Sequence, residues 1–254
     1  MVWGMALPNG FGEFWPSGEF EYDRAIRDEG WYKRLTNYYE EQSPEEQKRL
    51  FDFKGDPGLA AHHYGTFPSY KLINEPGTKN NSGLEPPYGA IEPHEVPRSF
   101  DTDKTYNALG SLIMLNGRII AVNAALKAVI ERLEPGVHEF FPFELRMPKG
   151  KTYPSQYYIL RVCQYFDALS RADSLDGAVE DRPIYGTDRT RTDLRDKSKK
   201  TITGLAFRQS VFGSAHLWRD RSFGEELTCF SDELISEIEA GEPRLPKHYK
   251  MKEV

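Results

Sequence analysis

The stretch "GVHEFFPFEL", residues 136–145, decides the fold class because the apolar pattern changes there from a helix period to a strand period. Phe141, Phe143 and Leu145 recur at every second position, which is the spacing of a half-buried strand. Pro142 lies among them and has no amide hydrogen to donate to a ladder. We therefore expect this strand to lie at a sheet edge or to contain a bulge at Pro142.

An amphipathic helix precedes the strand, over residues 122–134. Leu126, Val129, Ile130 and Leu133 have the i, i+3, i+4, i+7 spacing that places them on one apolar helix face. The Pro-Gly pair that follows ends the helix, because proline cannot continue it and glycine permits the turn.

Further strands are predicted downstream of a polar segment. Residues 157–169, "YYILRVCQYFDAL", indicate a central strand because they are apolar almost throughout. Residues 174–200 are a polar interlude, and its basic part, 189–200, is predicted to be a solvated loop rather than a nucleic-acid site, because no aromatic residues are interleaved with it. Strands resume within 204–212 and 215–220.

A final helix is predicted between Ser231, a good N-cap, and Gly241, a typical C-terminal stop. Leu234, Ile235 and Ile238 form its expected buried stripe. Helices and antiparallel-type strands are interspersed without βαβ regularity. The sequence therefore predicts an α+β fold, with a mainly antiparallel sheet and flanking helices.

The first part of the chain differs in composition, because it contains most of the prolines and many turn formers. We predict an irregular, loop-rich subdomain or elaboration over 1–95 and an α+β domain over 96–254. Two short helices are expected in the first part, one over 23–39 and one that Ser43 caps, with Pro44 at its first position.

Composition limits the class of function. The chain has 254 residues and a formal net charge of −6, which argues against general nucleic-acid binding because that function needs a basic surface. Two cysteines cannot form a disulfide framework, which favours a reducing compartment. The sequence contains neither a signal-peptide pattern nor an apolar run long enough to span a bilayer, so a cytoplasmic protein is expected.

No group of residues indicates a catalytic, metal or cofactor site. Ala61-His62-His63 is similar to the start of the AHH family of toxin nucleases, but the next histidine is His94, across a proline-rich segment. A nuclease would need further metal-binding histidines nearby, so we favour a pair in a loop or at a helix end. Cys163 lies within a predicted strand, where a buried thiol is usually inert.

The densest acidic cluster consists of Glu40, Glu41, Glu45 and Glu46. Such a cluster is most often a solvated helix face. The alternative is a contact surface for a basic partner, where charge raises the association rate and selects the partner.

The order of motifs in the second part of the chain resembles that of Imm11, or DUF1629, a family of bacterial immunity proteins in polymorphic toxin systems. The similarity covers about residues 95–246. Four stretches carry it, namely "PRSFDTDKTYNALGSLIMLNGRIIAVNAALKAVIERLEPGVHEFFPFEL", "YYILRVCQYFDALSRADS", "FGSAHLWRD" and "CFSDELISEIEAGEPRL".

This resemblance implies a protein that binds and neutralises a cognate toxin or effector, a nuclease, encoded next to it. We expect inhibition by stoichiometric occlusion, with no membrane contact and no direct nucleic-acid binding. An enzyme that reverses toxin damage and a general protein-interaction adaptor are the alternatives. The residues expected to bind the toxin are the aromatic and acidic side chains outside the part that resembles the family, namely Trp15, Trp31, Tyr38, Tyr39, Glu40, Glu41, Glu45 and Glu46.

Overall fold

The structure is a computed structural model that describes residues 1–22, 30–53, 55–74, 88–183, 190–223, 227–241 and 243–254. Seven α-helices occur in these ranges: α1 (Gly30–Glu40), α2 (Pro44–Leu50), α3 (Ala60–Ile73), α4 (Ala124–Leu133), α5 (Lys199–Thr203), α6 (Gln209–Phe212) and α7 (Asp232–Ala240). Fifteen strands occur in the same ranges: β1 (Val2–Ala6), β2 (Gly18–Phe20), β3 (Ser99–Thr102), β4 (Leu112–Met114), β5 (Ile120–Asn123), β6 (Glu139–Met147), β7 (Lys151–Thr152), β8 (Tyr157–Arg161), β9 (Tyr165–Phe166), β10 (Val179–Pro183), β11 (Thr190–Leu194), β12 (Ala206–Phe207), β13 (Leu217–Asp220), β14 (Leu227–Ser231) and β15 (His248–Glu253).

Two sheets organise these strands, and most of the described pairings are antiparallel. Sheet I has the order β2-β3-β6-β8-β5-β4, with β7 paired to β6. Sheet II has the order β12-β15-β1-β14-β13-β9, and β10 with β11 forms a separate hairpin. The chain changes sheet between β8 and β9. The predicted α+β fold with a mainly antiparallel sheet is confirmed.

Strand β6 confirms the alternating pattern, since Phe143 and Leu145 are buried, but its predicted edge position is wrong. It lies between β3 and β8, and Pro142 pairs in register with Tyr158. The Glu144 amide donates to Arg98 O at 2.9 Å, where pairing with β3 begins. Amides two residues apart in a strand point to the same side, so the nitrogen of Pro142 faces the side on which β3 lies. Pro142 precedes the part of β6 that pairs with β3, so no hydrogen bond to β3 is lost there. An interior strand therefore tolerates proline.

Three hydrophobic clusters lie against the sheets. The first packs α1 and α3 on sheet I and includes Trp31, Tyr64 and Phe100. The second packs the β10–β11 hairpin, α5 and α6 on sheet II. The third combines apolar residues of both sheets with α4 and α7, for example Ile130 and Ile235. The two sheets thus share one core and each has another of its own.

The predicted helices fit the structure where it describes them. Leu126 and Ile130 of α4 are buried, as are the three predicted apolar residues of α7, and the Ser231 hydroxyl accepts from Leu234 N at 3.0 Å. Ser43 caps α2 as expected. Helix α1 fills the described part of the predicted 23–39 helix, and residues 23–29 lie outside the described residues.

Other elements differ from the sequence expectation. The predicted strand over 157–169 is two shorter strands in different sheets, and the predicted strand over 204–212 contains α6. The basic part of the polar segment, 189–200, is predicted to be a loop, but it contains β11, which pairs with β10 as a hairpin. Arg182 of β10 forms an ion pair with Asp193 of β11 at 3.6 Å, which links the two strands diagonally.

Both chain termini enter sheet II, where β1 lies between β14 and β15. The Met1 ammonium group pairs with Glu253 at 2.7 Å. The division at residue 95 stays a prediction, although strands from both sides of it share each sheet. Among the described residues, no helix has the length and apolar character needed to cross a bilayer.

The Glu134 carboxylate joins the end of α4 to the start of β13. It accepts hydrogen bonds from His138 Nε2 (2.8 Å), Gln164 Nε2 (2.6 Å), His216 N (2.7 Å) and Leu217 N (3.1 Å), while only 7% of the residue is exposed. Burial alone would raise the pKa of Glu134, but these hydrogen bonds outweigh it and hold the pKa below its usual value of 4.5.

Glu134→Gln is expected to lower the free energy of unfolding at pH 7 by about 2–3 kcal/mol. The substitution replaces one carboxylate oxygen, which accepts hydrogen bonds, by an amide NH2 group, which cannot accept from the donors around it. The folded-state pKa is below the unfolded one. The carboxylate's contribution is therefore fully present above pH 4.5 and is lost as the pH falls through the folded-state value.

Urea unfolding at several pH values would measure this effect, and Glu131→Gln on the exposed side of α4 is the control. We expect the gap between wild type and Glu134→Gln to shrink below pH 4.5. A gap independent of pH would show that the carboxylate charge has no such role.

Candidate functional site

Helix α1 presents the acidic cluster and is fixed to the core by one face. Trp31, Leu35 and Tyr39 recur every four residues and are buried in the first cluster. Helix α3 packs against α1, and a Cβ on Gly65 of α3 would lie 2.5 Å from the hydroxyl oxygen of Thr36 in α1. The close approach of the two helices requires a glycine at this position.

The corner between α1 and α2 is held by side-chain amides. Gln42 Nε2 donates to Tyr38 O at 2.8 Å, and Gln47 Nε2 donates to Tyr39 O at 2.9 Å. These bonds satisfy carbonyl groups in the last turn of α1, which have no partner within the helix. The Ser43 hydroxyl accepts from Glu46 N at 3.3 Å and starts α2. The corner therefore has a defined geometry.

The acidic face is the surface formed by Glu40, Glu41, Glu45 and Glu46. The first three are exposed, and Glu46 is half-buried in an ion pair with Arg49 at 2.6 Å. The hydrogen bond from Arg49 lowers the pKa of Glu46. Within the described part of the chain, Glu40, Glu41 and Glu45 form no ion pair.

The four carboxylates differ in their relation to the helix dipoles. Glu45 and Glu46 lie in the first turn of α2, where negative charge is stabilising. Glu40 and Glu41 lie at the C-terminal end of α1, where negative charge is unfavourable, and the last turn of α1 has no basic residue. Helix stability therefore explains the positions of Glu45 and Glu46 but not those of Glu40 and Glu41.

A buried ion pair lies beneath the acidic face. Lys71 Nζ is 2.7 Å from both carboxylate oxygens of Glu95, and both residues are buried. The Tyr64 hydroxyl is 2.7 Å from His94 Nε2 and donates to Glu95 Oε1 at 3.4 Å. Burial, and then the Glu95 charge, raise the pKa of Tyr64, so this phenol stays protonated.

The turn that carries His94, residues 93–95, is pinned to α1. Trp31 Nε1 donates to Glu95 O at 3.0 Å, and Arg34 donates to His94 O at 2.5 Å while it pairs with Glu21 at 2.8 Å. The His94 ring stacks on Tyr38 with 3.8 Å between centroids. Burial lowers the pKa of His94, which favours a neutral ring against Tyr38.

The structure separates the predicted site residues into three groups. Trp31 and Tyr39 are buried anchors of α1, and Tyr38 is half-buried against His94. The four glutamates form one surface. Trp15 is not beside them, because it packs into the third cluster and contacts Phe11 at 4.6 Å between ring centroids.

Sequence reasoning missed the polar layer formed by Tyr64, Lys71, His94 and Glu95. A local signal existed in "EPHE", residues 92–95, where a proline follows Glu92 and the Glu95 side chain accepts from the Glu92 amide at 2.8 Å. Nothing local signals the pairing with Lys71, which is 24 residues away.

Cys163 lies beside His138, but the two do not form a nucleophile–base pair. His138 Nδ1 accepts from the backbone amide of Cys163 at 3.2 Å, so the imidazole contacts the amide and not the thiol. Burial raises the pKa of the Cys163 thiol. His62 and His63 lie in the first turn of α3, where the His63 ring stacks on Phe53. No cluster of metal-ligating side chains occurs among the described residues.

Comparison with known protein families gives one finding that bears on this surface. The immunity protein family Imm11 matches residues 34–253, a span that begins well before residue 95 and includes the acidic face. A comparison with individually curated proteins found no match.

Lys71→Met is expected to lower the free energy of unfolding by about 3–5 kcal/mol, because it leaves Glu95 charged, buried and unpaired. The double variant Lys71→Met/Glu95→Gln is expected to recover much of that loss, since no buried charge remains. Urea unfolding measures both variants.

Arg132→Met is the matched control, because it removes a cation from the exposed Arg132–Glu237 pair. We expect stability close to that of the wild type. Equal losses in Lys71→Met and the double variant would show that packing, and not the buried charge, is responsible.

Proposed function

The chain belongs to the immunity protein family Imm11, and from this membership we propose that it binds and neutralises a cognate toxin by stoichiometric occlusion. The toxin is a nuclease effector encoded next to it, and neutralisation takes place in the cytoplasm of the producing cell. Family membership is the observation that carries this proposal.

The acidic face is the proposed contact surface. A nuclease binds the phosphate backbone of its substrate through a basic groove. Glu40, Glu41 and Glu45 offer exposed carboxylates that could take the place of phosphates in such a groove. Occupation of the groove would exclude the nucleic acid, so one bound chain would inactivate one toxin molecule.

An ordered backbone beneath the carboxylates supports tight binding. A backbone segment that is already ordered loses little conformational entropy when it binds. The Gln42 and Gln47 amide bonds and the buried Trp31 and Tyr39 fix the backbone that carries the acidic face. In this proposal the two buried aromatic residues position the contact residues and do not touch the toxin.

Electrostatic attraction would also supply speed. Complementary charge raises association rates above those of neutral pairs, and the effect decreases as salt screens the charges. An immunity protein must bind its toxin before the toxin reaches its substrate. A surface of exposed carboxylates on a chain with net charge −6 suits that requirement.

Titration of the purified toxin with the full chain tests the mode of inhibition. Nuclease activity is expected to fall linearly and to reach zero at a molar ratio of one. Complete inhibition at a small fraction of that ratio would indicate turnover and would favour the enzyme alternative. Stable expression with neither complex formation nor protection of cells would favour the adaptor alternative.

Glu40→Lys/Glu41→Lys is expected to weaken toxin binding by about tenfold or more, mainly through a slower association rate. The fold should be retained, because both side chains are exposed and α1 keeps its buried face. Surface plasmon resonance at two salt concentrations would measure the rates, and the variant should show a weaker salt dependence.

Glu233→Lys/Glu239→Lys is the matched control, since it makes the same change in net charge at two exposed glutamates of another helix, α7. We expect it to bind the toxin as the wild type does. Equal weakening by both charge changes would mean that net charge alone matters and would contradict a specific role for the acidic face.

A further inference from the structure

His94 lies between the protein surface and the buried Lys71–Glu95 pair. Its half-buried ring stacks on Tyr38, and its Nε2 atom is 2.7 Å from the Tyr64 hydroxyl oxygen. Glu95, the next residue in the chain, is buried and pairs with Lys71. The Tyr64 hydroxyl contacts both His94 and Glu95, so it connects a titratable ring near the surface to a carboxylate in the core.

The two contacts of the Tyr64 hydroxyl are unequal. A hydrogen bond between a hydroxyl and a carboxylate is about 2.5–2.7 Å long, whereas the Tyr64 oxygen lies 3.4 Å from Glu95 Oε1. Its separation of 2.7 Å from His94 Nε2 is that of a good hydrogen bond. Burial, and then the Glu95 charge, raise the pKa of Tyr64, so the phenol keeps its proton. These distances fit a hydroxyl that donates to a neutral imidazole.

Charged groups from several elements surround the His94 ring, in addition to the Tyr38 and Tyr64 side chains. They are Arg34 of α1, Glu46 and Arg49 of α2, Lys71 of α3, and Glu92 and Glu95 of its own turn. The nearby carboxylates raise the pKa of His94 and the nearby cations lower it, but burial has the largest effect and lowers it. The ring is therefore neutral at pH 7.

We propose that His94, Tyr64 and Glu95 form a hydrogen-bond switch that reverses its direction when the imidazole takes up a proton. With neutral His94, the Tyr64 hydroxyl donates to Nε2. With protonated His94, Nε2–H donates to the Tyr64 oxygen, and the hydroxyl rotates and donates to Glu95. The change needs a rotation of the hydroxyl and a closer approach to Glu95, since an imidazolium can only donate and a hydroxyl can both donate and accept.

Protonation would place a positive charge beside the acidic face. The charge of His94 acts on Glu46, and Tyr38, which stacks on the ring, precedes Glu40 and Glu41 at the end of α1. A cation at this position repels a cationic partner and offsets part of the attraction of the carboxylates. This step rests on the proposed function and assigns a regulation to the same surface, because binding of a basic partner weakens as His94 becomes protonated.

Tyr64→Phe tests the reversal of the hydrogen bond. Nuclear magnetic resonance of the full chain, with ¹³C at Cε1 of histidine, would measure the pKa of His94, and His94→Gln would identify its signal among the six histidines. The variant is expected to lower the pKa of His94, because the bond lost from the imidazolium is stronger than the one lost from the neutral ring. A raised or unchanged pKa would overturn the proposal.

Tyr70→Phe is the matched control. It removes a phenol hydroxyl from the same helix, α3, and within the described residues the Tyr70 hydroxyl forms no hydrogen bond. We expect the pKa of His94 to be unchanged in this variant. An equal fall in both variants would show that altered packing of α3 is responsible, which would contradict the switch.

Lys71→Met/Glu95→Gln gives a second test that does not alter Tyr64. It removes the carboxylate to which the rotated hydroxyl donates, and it leaves no unpaired buried charge. The pKa of His94 is expected to fall, because Glu95 raises it more than Lys71 lowers it and because the charge-assisted bond is lost. A pKa equal to that of the wild type would count against a role for Glu95.

Octalysine labelled with tetramethylrhodamine tests the link to the acidic face. Its affinity for the full chain, measured by fluorescence polarisation at low salt, is expected to fall about two- to threefold as the pH decreases through the pKa of His94. His94→Gln should lack this step, and added octalysine should lower the pKa of His94 by the matching factor, because the coupling is reciprocal.

The same step in wild type and in His94→Gln, or no binding of octalysine, would overturn the regulation of the acidic face by His94. Toxin binding is a separate readout. A toxin that binds at no pH would contradict the proposed function, whereas the response of His94 to Tyr64→Phe would still decide whether the switch exists.

Discussion

The Glu134 carboxylate is the interaction on which the arrangement of the two sheets depends. It lies at the end of α4 and accepts from residues of three different segments, namely His138, Gln164 and the amides of His216 and Leu217. A buried carboxylate with four donors is stable only while all of these segments are in place. Because Gln164 lies where the chain leaves sheet I for sheet II, the relative position of the sheets is fixed at this point.

This constraint determines where the acidic face lies relative to the shared core. Sheet I carries α1 and α3 on the face opposite α4, so the acidic face is separated from the core that the two sheets share. A groove lined by Leu7, which follows β1, and by Met114 of β4 instead lies over part of that shared core. Any shift between the sheets would therefore change the groove before it changed the acidic face.

Local patterns predicted the elements whose partners are close in sequence, such as α4 and α7, because each has one apolar stripe and a recognisable cap. They did not predict α3, which contains Gly65 and Pro68, and the contact with α1 requires the glycine. The central place of β1 also could not be predicted, since it pairs with strands at the other end of the chain. For the site, the sequence indicated the acidic cluster but not the Lys71–Glu95 pair beneath it.

The titratable ring beneath the acidic face has a consequence for binding. A surface of carboxylates alone attracts a basic partner over a wide range of pH, whereas a surface beside His94 attracts it most strongly while that ring is neutral. The acidic face and the groove are also fixed by different means. The acidic face depends on amide bonds at a helical corner, and the groove depends on the type I′ turn between β4 and β5. A substitution can therefore alter the acidic face without altering the groove over the shared core, so this face could adapt separately to a changing partner.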